Sequence, residues 1–498
     1  MPRFLIDMHC HPAMKPYGKS FRNEATQGHN DTDPWANNSV WYYDPPTGMD
    51  KAVNKVLTIT KFSQSNFSAL SFGNVRLICA SLYPMEKGFV KNNAGSGAVS
   101  DLLMNFLTGQ GQQRINHLQA MPDYFTDLTN EYYYYKELDG KIVDIAFGEN
   151  PENKEELKDK HRYILIKNYN DLLLQLEKDG EDDITNIYVI ITIEGLHVLD
   201  CGLGTTPDRE HLLKNLKAIQ AWQHRPLFIT FAHHFYNQLC GHAESLKGIA
   251  DWATHQETGM GEGLTPLGEQ VLHQMIADPK TRIYIDIKHM SVTARYRYYE
   301  LLQTTYANEF NSKQLPIVIS HGACNGLQSA KEPYVQLHDT GNKMMQADIN
   351  FYDEEILLLA KSGGIIGIQL DERRLGNKSF LNSTGGFLNG KNKRLHKRSK
   401  LVWNQIQHIA ELLDSKGLFA WDCMAIGTDF DGIIDPVNGF WTSEEMDDLV
   451  QYLERHVYDY INEESDRLQN AFNRLEPAEI IDRIFHDNAM EFFRKYFK

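Results

Sequence analysis

Histidines and carboxylates stand at the ends of short apolar runs in this sequence, where metal chemistry would need them. His9-Cys10-His11 closes the first run, Glu194-Gly195 the third, His233-His234 the fourth, His289 the fifth and His321 the sixth. Asp429-Phe430-Asp431-Gly432 closes the last. Residues i and i+2 of a strand share a face, so His9 and His11 can point at one ion. Imidazole and carboxylate suit zinc and related divalent ions. Such an ion lowers the pKa of bound water to about 7, and a bridging carboxylate such as Glu194 would hold two ions about 3.5–4 Å apart. Asp429 is placed to accept the proton that leaves the water. Taken singly, each residue has a plainer use: a strand-end histidine in a structural hydrogen bond, or an aspartate before glycine in a turn. Collected on one rim, they point to a site.

The elements that must position them are eight apolar, β-branched-rich runs: 4–8, 75–83, 187–193, 227–232, 283–287, 316–320, 364–370 and 423–428. Amphipathic stretches such as 210–223, 267–277 and 353–361 lie between them. Strands buried on both faces read as continuous apolar runs, and their alternation with helices implies a parallel sheet. Eight such units predict an α/β fold, a (β/α)₈ TIM barrel; a doubly wound sheet is the alternative. In a barrel the site lies at the C-terminal strand ends.

The 498 residues would allow about three domains, but no internal repeat and no Pro- or Ser-rich linker divides them. The expectation is one domain, 1–498, with large insertions after the first, second and seventh strands, at approximately 12–70, 86–160 and 371–400. In the second insertion Asp139-Gly140 separates two runs, 132–138 and 141–144, and predicts a hairpin. In the third, the basic run Lys391–Arg398 reads as a solvated loop.

Fifty Lys+Arg against 66 Asp+Glu leave a net charge of −16, which argues against nucleic acid or an anionic membrane surface as the main partner. No apolar run reaches the roughly 18 residues of a membrane span. No signal peptide opens the chain, so the expected location is cytoplasmic. The six cysteines lack a CxxC spacing and read as reduced, buried thiols.

The order of motifs resembles the membrane (renal) dipeptidase family of zinc metallopeptidases, within the amidohydrolase-type barrels. The segments that carry the resemblance are Ile6-Asp7-Met8-His9-Cys10-His11-Pro12, Ile193-Glu194-Gly195, Ile229-Thr230-Phe231-Ala232-His233, Gly263-Leu264-Thr265-Pro266-Leu267-Gly268, Ile285-Asp286-Ile287-Lys288-His289, Ile319-Ser320-His321 and Gly427-Thr428-Asp429-Phe430-Asp431-Gly432. Gly363-Gly364-Ile365-Ile366-Gly367 and Asp487-Asn488-Ala489 fit as well. The resemblance implies a binuclear zinc hydrolase that cuts dipeptides or similar small amides through a metal-bound hydroxide. It implies that His9 and His11 bind one ion, His289 and His321 the other, and that Glu194 bridges them. His233 would steady the oxyanion or substrate carbonyl, and Asp429 would handle the proton. A small dipeptide-like substrate and a homodimer are the expected partners.

Two departures from the family matter. Its first motif is usually His-x-Asp, whereas this chain has His9-Cys10-His11. Gly28-His29-Asn30-Asp31 spells the usual tetrapeptide but lies in a polar stretch without a strand signal, so it is set aside. The arginine that normally follows the sixth-strand histidine and binds the dipeptide carboxylate is also missing, since residues 324–349 contain none. Arg373 and Arg374, after the seventh strand, are the candidate substitutes. The alternatives are an amidohydrolase acting on another small amide, lactam or lactone, and a non-catalytic barrel with a vestigial metal site.

Overall fold

The computed structural model describes every residue except 1–3, 59, 91–104, 106–107, 147–157, 247–253, 255, 336, 385–389 and 464–466. Parts of the expected insertions 86–160 and 371–400 therefore lie outside the described residues.

All eight apolar runs form strands: β1 (Leu5–Cys10), β2 (Val75–Leu82), β5 (Ile184–Glu194), β6 (Phe228–Thr230), β7 (Tyr284–Asp286), β8 (Val318–Gly322), β9 (Ile365–Ile368) and β10 (Met424–Ile426). They pair in parallel in the order β1-β2-β5-β6-β7-β8-β9-β10. The ring closes where β10 returns beside β1. There Asp429 N–H donates to the His9 carbonyl and His11 N–H to the Phe430 carbonyl, both at 2.9 Å. This is an eight-stranded, nearly closed parallel barrel.

Both faces of the strands are covered. Ile78, Ile190, Ile229, Ile285, Ile319, Ile366 and Ile426 are fully buried, each contributing about 1.5–3 kcal/mol by removal from water. The helix Pro266–Ile276 follows the pattern expected of a helix between strands. Thr265 Oγ1 accepts from Gly268 N–H at 3.0 Å, Pro266 opens the first turn, and Val271, Leu272, Met275 and Ile276 face inward.

Two expectations require correction. The run 132–138 is not one arm of a hairpin but the end of a helix, Tyr124–Glu137. Asp123 caps it by accepting from Thr126 N–H at 2.7 Å, and Tyr124, Leu128, Tyr132 and Tyr135 bury one helical face. Strand β3 (Val143–Ala146) instead pairs antiparallel with β4 (Lys158–Leu165), and β4 lies alongside the first half of β5. The basic run Lys391–Arg398 is not a loop either. It forms the first turns of the helix Lys391–Asp414, whose later turns bury Leu401, Val402, Ile406, Ile409 and Leu413.

No helix among the described residues is long and apolar enough to cross a membrane. All six cysteines are buried and free.

Candidate metal centre

Two buried aspartates set the strand ends before any histidine is considered. Asp7, two residues before His9, accepts from Thr428 N–H at 2.9 Å and Thr428 Oγ1 at 2.6 Å, tying β1 to the segment after β10. Asp286, at the end of β7, accepts from Thr230 Oγ1 and Ser320 Oγ at 2.6 Å each, tying β6, β7 and β8 together. Burial pushes the Asp7 carboxyl up to about 6 and raises Asp286 as well. The histidines stand directly above this polar layer.

Glu194, at the end of β5, is the hub. Gly195 follows it at φ +91°, and a Cβ there would lie 2.3 Å from His197 Nδ1, so the turn that ends the strand requires glycine. Glu194 Oε1 lies 3.5 Å from His9 Nε2 and 3.6 Å from both His289 Nε2 and His321 Nε2. Its Oε2 lies 3.1 Å from His11 Nε2 and 3.3 Å from His233 Nε2. The Nε2 atoms of His9 and His11 are 3.1 Å apart, and those of His289 and His321 are 3.3 Å apart. Among the described residues, ligand atoms fall within 4.8 Å of one another in four groups: His9–His11–Glu194, Glu194–His289–His321, His9–His321–Asp429 and His233–His234–His289.

Neighbours fix which ring nitrogens are bare. His11 Nδ1–H donates to the Ser81 carbonyl at 3.1 Å, which leaves Nε2 with its lone pair. Ser320 gives its single proton to Asp286, so its oxygen accepts from His321 Nδ1–H at 2.9 Å, and again Nε2 is bare. Burial holds His9, His289 and His321 below the ordinary histidine value. At His11 burial works the same way, but Glu194 and then Asp429 outweigh it and raise the imidazole. Bare lone pairs facing each other and a buried carboxylate repel unless a cation lies among them. Four imidazoles, a shared carboxylate and outer partners that fix the tautomers of His11 and His321 fit divalent zinc-type ions.

His233 sits on the other flank. Its Nδ1–H donates to Glu86 Oε2 at 2.7 Å, and Tyr83 Oη donates to the same oxygen at 3.1 Å. Burial opposes charge on both members, yet each favours the charged form of the other. His233 holds Glu86 at about 2, while Glu194 and Glu86 raise His233. Next to it, His234 packs its ring 3.8 Å from that of His233 and hydrogen-bonds Ser245 Oγ.

Asp429 takes the left-handed backbone, φ 62°, and reaches back over the histidines. Its Oδ1 is 3.9 Å from His9 Nε2 and 3.8 Å from His11 Nε2, and its Oδ2 is 3.8 Å from His321 Nε2. A Cβ at position 432 would lie 2.0 Å from Asp429 Oδ1, which is why glycine stands there. Burial and the Glu194 charge raise the Asp429 carboxyl well above the carboxylate range. Asp431 faces away and is fully engaged. It accepts from Gln64 N–H, Ser65 N–H and Ser65 Oγ and pairs with Lys15 at 2.5 Å.

The two candidate arginines differ. Arg373 is spent on Asp371, with three contacts of 2.6–3.2 Å. Arg374 donates one nitrogen, Nη2, to the Ser245 carbonyl, while its Nη1 is buried without a hydrogen-bond partner among the described residues. His29 is far more exposed than the cluster and pairs with Glu137.

Three kinds of residue escaped the sequence reading. Glu86 lies in a loop after β2 and has no motif around it. Asp7 and Asp286 were quoted only as part of motifs, although each precedes a ligand-type histidine by two or three positions. Lys288 stands inside the same motif as His289. It is 1 % exposed, has an Nζ without a hydrogen-bond partner among the described residues, and burial with the Arg374 charge lowers it to about 7.

The family model described as membrane dipeptidase (peptidase family M19) matches residues 152–465. That span includes Glu194, His233, His289, His321 and Asp429, and leaves His9 and His11 outside. Among solved structures, a dipeptidase described as a metallopeptidase of family M19 is similar over 100% of this chain and 99% of its own, with TM-score 0.52 and 12% identity. A metallopeptidase from Rhodobacter sphaeroides, liganded with a phosphinate mimic of the dipeptide L-Ala-D-Ala, is similar over 99% of each chain, with TM-score 0.50 and 12% identity. The search of curated proteins finds no match. At this identity the two structures establish the fold.

Proposed function

The chain belongs to the membrane dipeptidase family, and from that premise we propose that it is a binuclear metal-dependent dipeptidase. The observation that carries the reading is the convergence of five imidazole Nε2 atoms on one buried carboxylate, Glu194, at 3.1–3.6 Å. His9 and His11 would hold one ion, His289 and His321 the other, and Glu194 would touch both. Two zinc ions bound there would supply a hydroxide near neutral pH and polarise the scissile carbonyl.

The chain's own side chains do the rest. Asp429, whose burial makes it a better proton acceptor than an exposed aspartate, takes a proton on its carboxylate and returns it to the departing amine. His233, whose hold on its proton Glu194 and Glu86 both strengthen, offers Nε2–H to the oxygen that becomes negative in the tetrahedral state. Arg374, with its free Nη1, meets the carboxylate of a dipeptide, which a water-poor site must pair. Arg373 neutralises Asp371 and supports the arrangement.

The test is hydrolysis of a panel of L,L- and L,D-dipeptides, a β-lactam and an acyl-amino acid by the zinc-loaded protein. Turnover of dipeptides above the other two classes supports the reading. Turnover of the lactam or acyl-amino acid with no dipeptide cleavage overturns it in favour of another small-amide hydrolase.

A further inference from the structure

Lys288 is a buried lysine whose Nζ has no hydrogen-bond partner among the described residues. It lies two residues beyond the C-terminal end of β7 (Tyr284–Asp286), in the turn that leads directly into His289. Asp286 holds Thr230 and Ser320 at that strand end, so Lys288 is buried on the rim that carries the histidines. Asp286 Oδ1 pins the Lys288 backbone N–H at 3.1 Å. The positive charge of Lys288 acts on His233, His289, His321 and Asp429.

Arg374 approaches from another element. Its guanidinium rests on the Ser245 carbonyl, and Ser245 Oγ bonds His234 at 2.7 Å. The His234 ring packs 3.8 Å from that of His233 and 5.2 Å from that of His289. Arg374 therefore lies on the same flank as Lys288, and it is the neighbouring charge that acts most strongly on that lysine. Both groups are buried, and each has a donor atom without a hydrogen-bond partner among the described residues, Lys288 Nζ and Arg374 Nη1. Asp371, the carboxylate that follows β9, is already taken by Arg373. Burying two cations with unused donors at one rim is costly unless an anion joins them.

We propose that Lys288 Nζ and Arg374 Nη1 form a two-donor clamp for the free carboxylate of the substrate's leaving residue, one donor for each oxygen. The clamp replaces the arginine missing from residues 324–349 with a lysine and an arginine from two different strand ends. It rests on the dipeptidase reading and makes Lys288 a specificity-determining residue.

The experiment compares Ala-Ala with its C-terminal amide in wild type, Lys288→Met and Lys288→Arg, alongside calorimetric binding of the product alanine and of alaninamide. A lost hydrogen bond to a charged group corresponds to roughly a 10- to 100-fold loss of affinity. Lys288→Met should raise KM for Ala-Ala and weaken alanine binding by that factor. Its kcat should stay within a few-fold, its kinetics with the amide should be unchanged, and Lys288→Arg should recover most of the loss. Lys288→Gln makes the same comparison if the methionine variant does not fold. If wild type cleaves Ala-Ala and Lys288→Met leaves KM and alanine binding unchanged, the clamp is wrong and the dipeptidase stands. Equal losses for acid and amide would also overturn it, by making Lys288 a structural residue. If no dipeptide is cleaved while alanine binding still depends on Lys288, the dipeptidase reading fails and the clamp survives.

Discussion

His233 and Glu86 stand 147 residues apart in the chain and 2.7 Å apart between Nδ1 and Oε2. One lies three residues beyond β6 and the other four beyond β2, so the barrel brings a loop carboxylate behind an imidazole that faces Glu194. With Glu194, Glu86 raises the imidazole's affinity for its proton, and the loss of Glu86 has a defined consequence. Glu86→Gln should lower kcat toward the level of His233→Ala, itself about 10²–10³-fold below wild type if His233 is an oxyanion donor. The double variant should be no worse than His233→Ala alone, and bound metal should be unchanged in all three. Additive losses in a steady-state kinetic comparison would separate the two residues.

Asp429 and Asp431 are two residues apart with different partners. Asp429→Asn should keep its metals and lose about 10²–10⁴-fold in rate, the range for a general acid–base group. Asp431→Asn should leave kcat within a few-fold but destabilise the fold, because it breaks a buried pair with Lys15, a change that costs about 3–5 kcal/mol. Thermal unfolding and kcat on the same samples distinguish them, and a dead but stable Asp431→Asn would reverse the roles.

Glu131 offers a pH test away from the site. Buried, and beside the charge of Asp127, its carboxyl is raised to about 8. A group raised on folding stabilises fully below its unfolded value, near 4.3, and that stability fades as pH climbs to about 8. The slope is at most about 1.4 kcal/mol per pH unit. Glu131→Gln should match wild type near pH 4 and unfold at a higher temperature than wild type at pH 8. Parallel Tm-versus-pH curves would show that Glu131 is ionised in the folded protein.

Arg374→Ala should raise KM for a free dipeptide at least tenfold, as expected for a lost charged hydrogen bond, and spare the amide. Arg373→Ala should not separate acid from amide, because its guanidinium is committed to Asp371. Equal turnover of acid and amide by wild type would mean that no carboxylate is read.

What the sequence disclosed depended on burial. The eight barrel strands were legible because parallel strands covered on both faces leave unbroken apolar runs, as Ile187–Ile193 does. Their end residues, His9, His11, Glu194, His289 and His321, stood out against those runs. The helix Tyr124–Glu137 was misread because four consecutive tyrosines favour strands locally, whereas the Asp123 cap and the spacing of Leu128, Tyr132 and Tyr135 select a helix. Lys391–Arg398 resembled a loop because its charges hide the first turns of a helix whose apolar face begins at Leu395 and Leu401. Glu86 left no local signal at all: its meaning comes only from contact with His233 across the barrel.

The central claim is that Glu194 and the surrounding histidines hold two divalent ions, and metal content per chain tests it most directly. Elemental analysis of purified, zinc-equilibrated protein should give two equivalents for wild type and for His29→Ala. His9→Ala, His321→Ala and Glu194→Ala should fall to one equivalent or fewer and lose most activity. Wild type without tightly bound metal, or His9→Ala and His321→Ala that still carry two equivalents, would contradict the account.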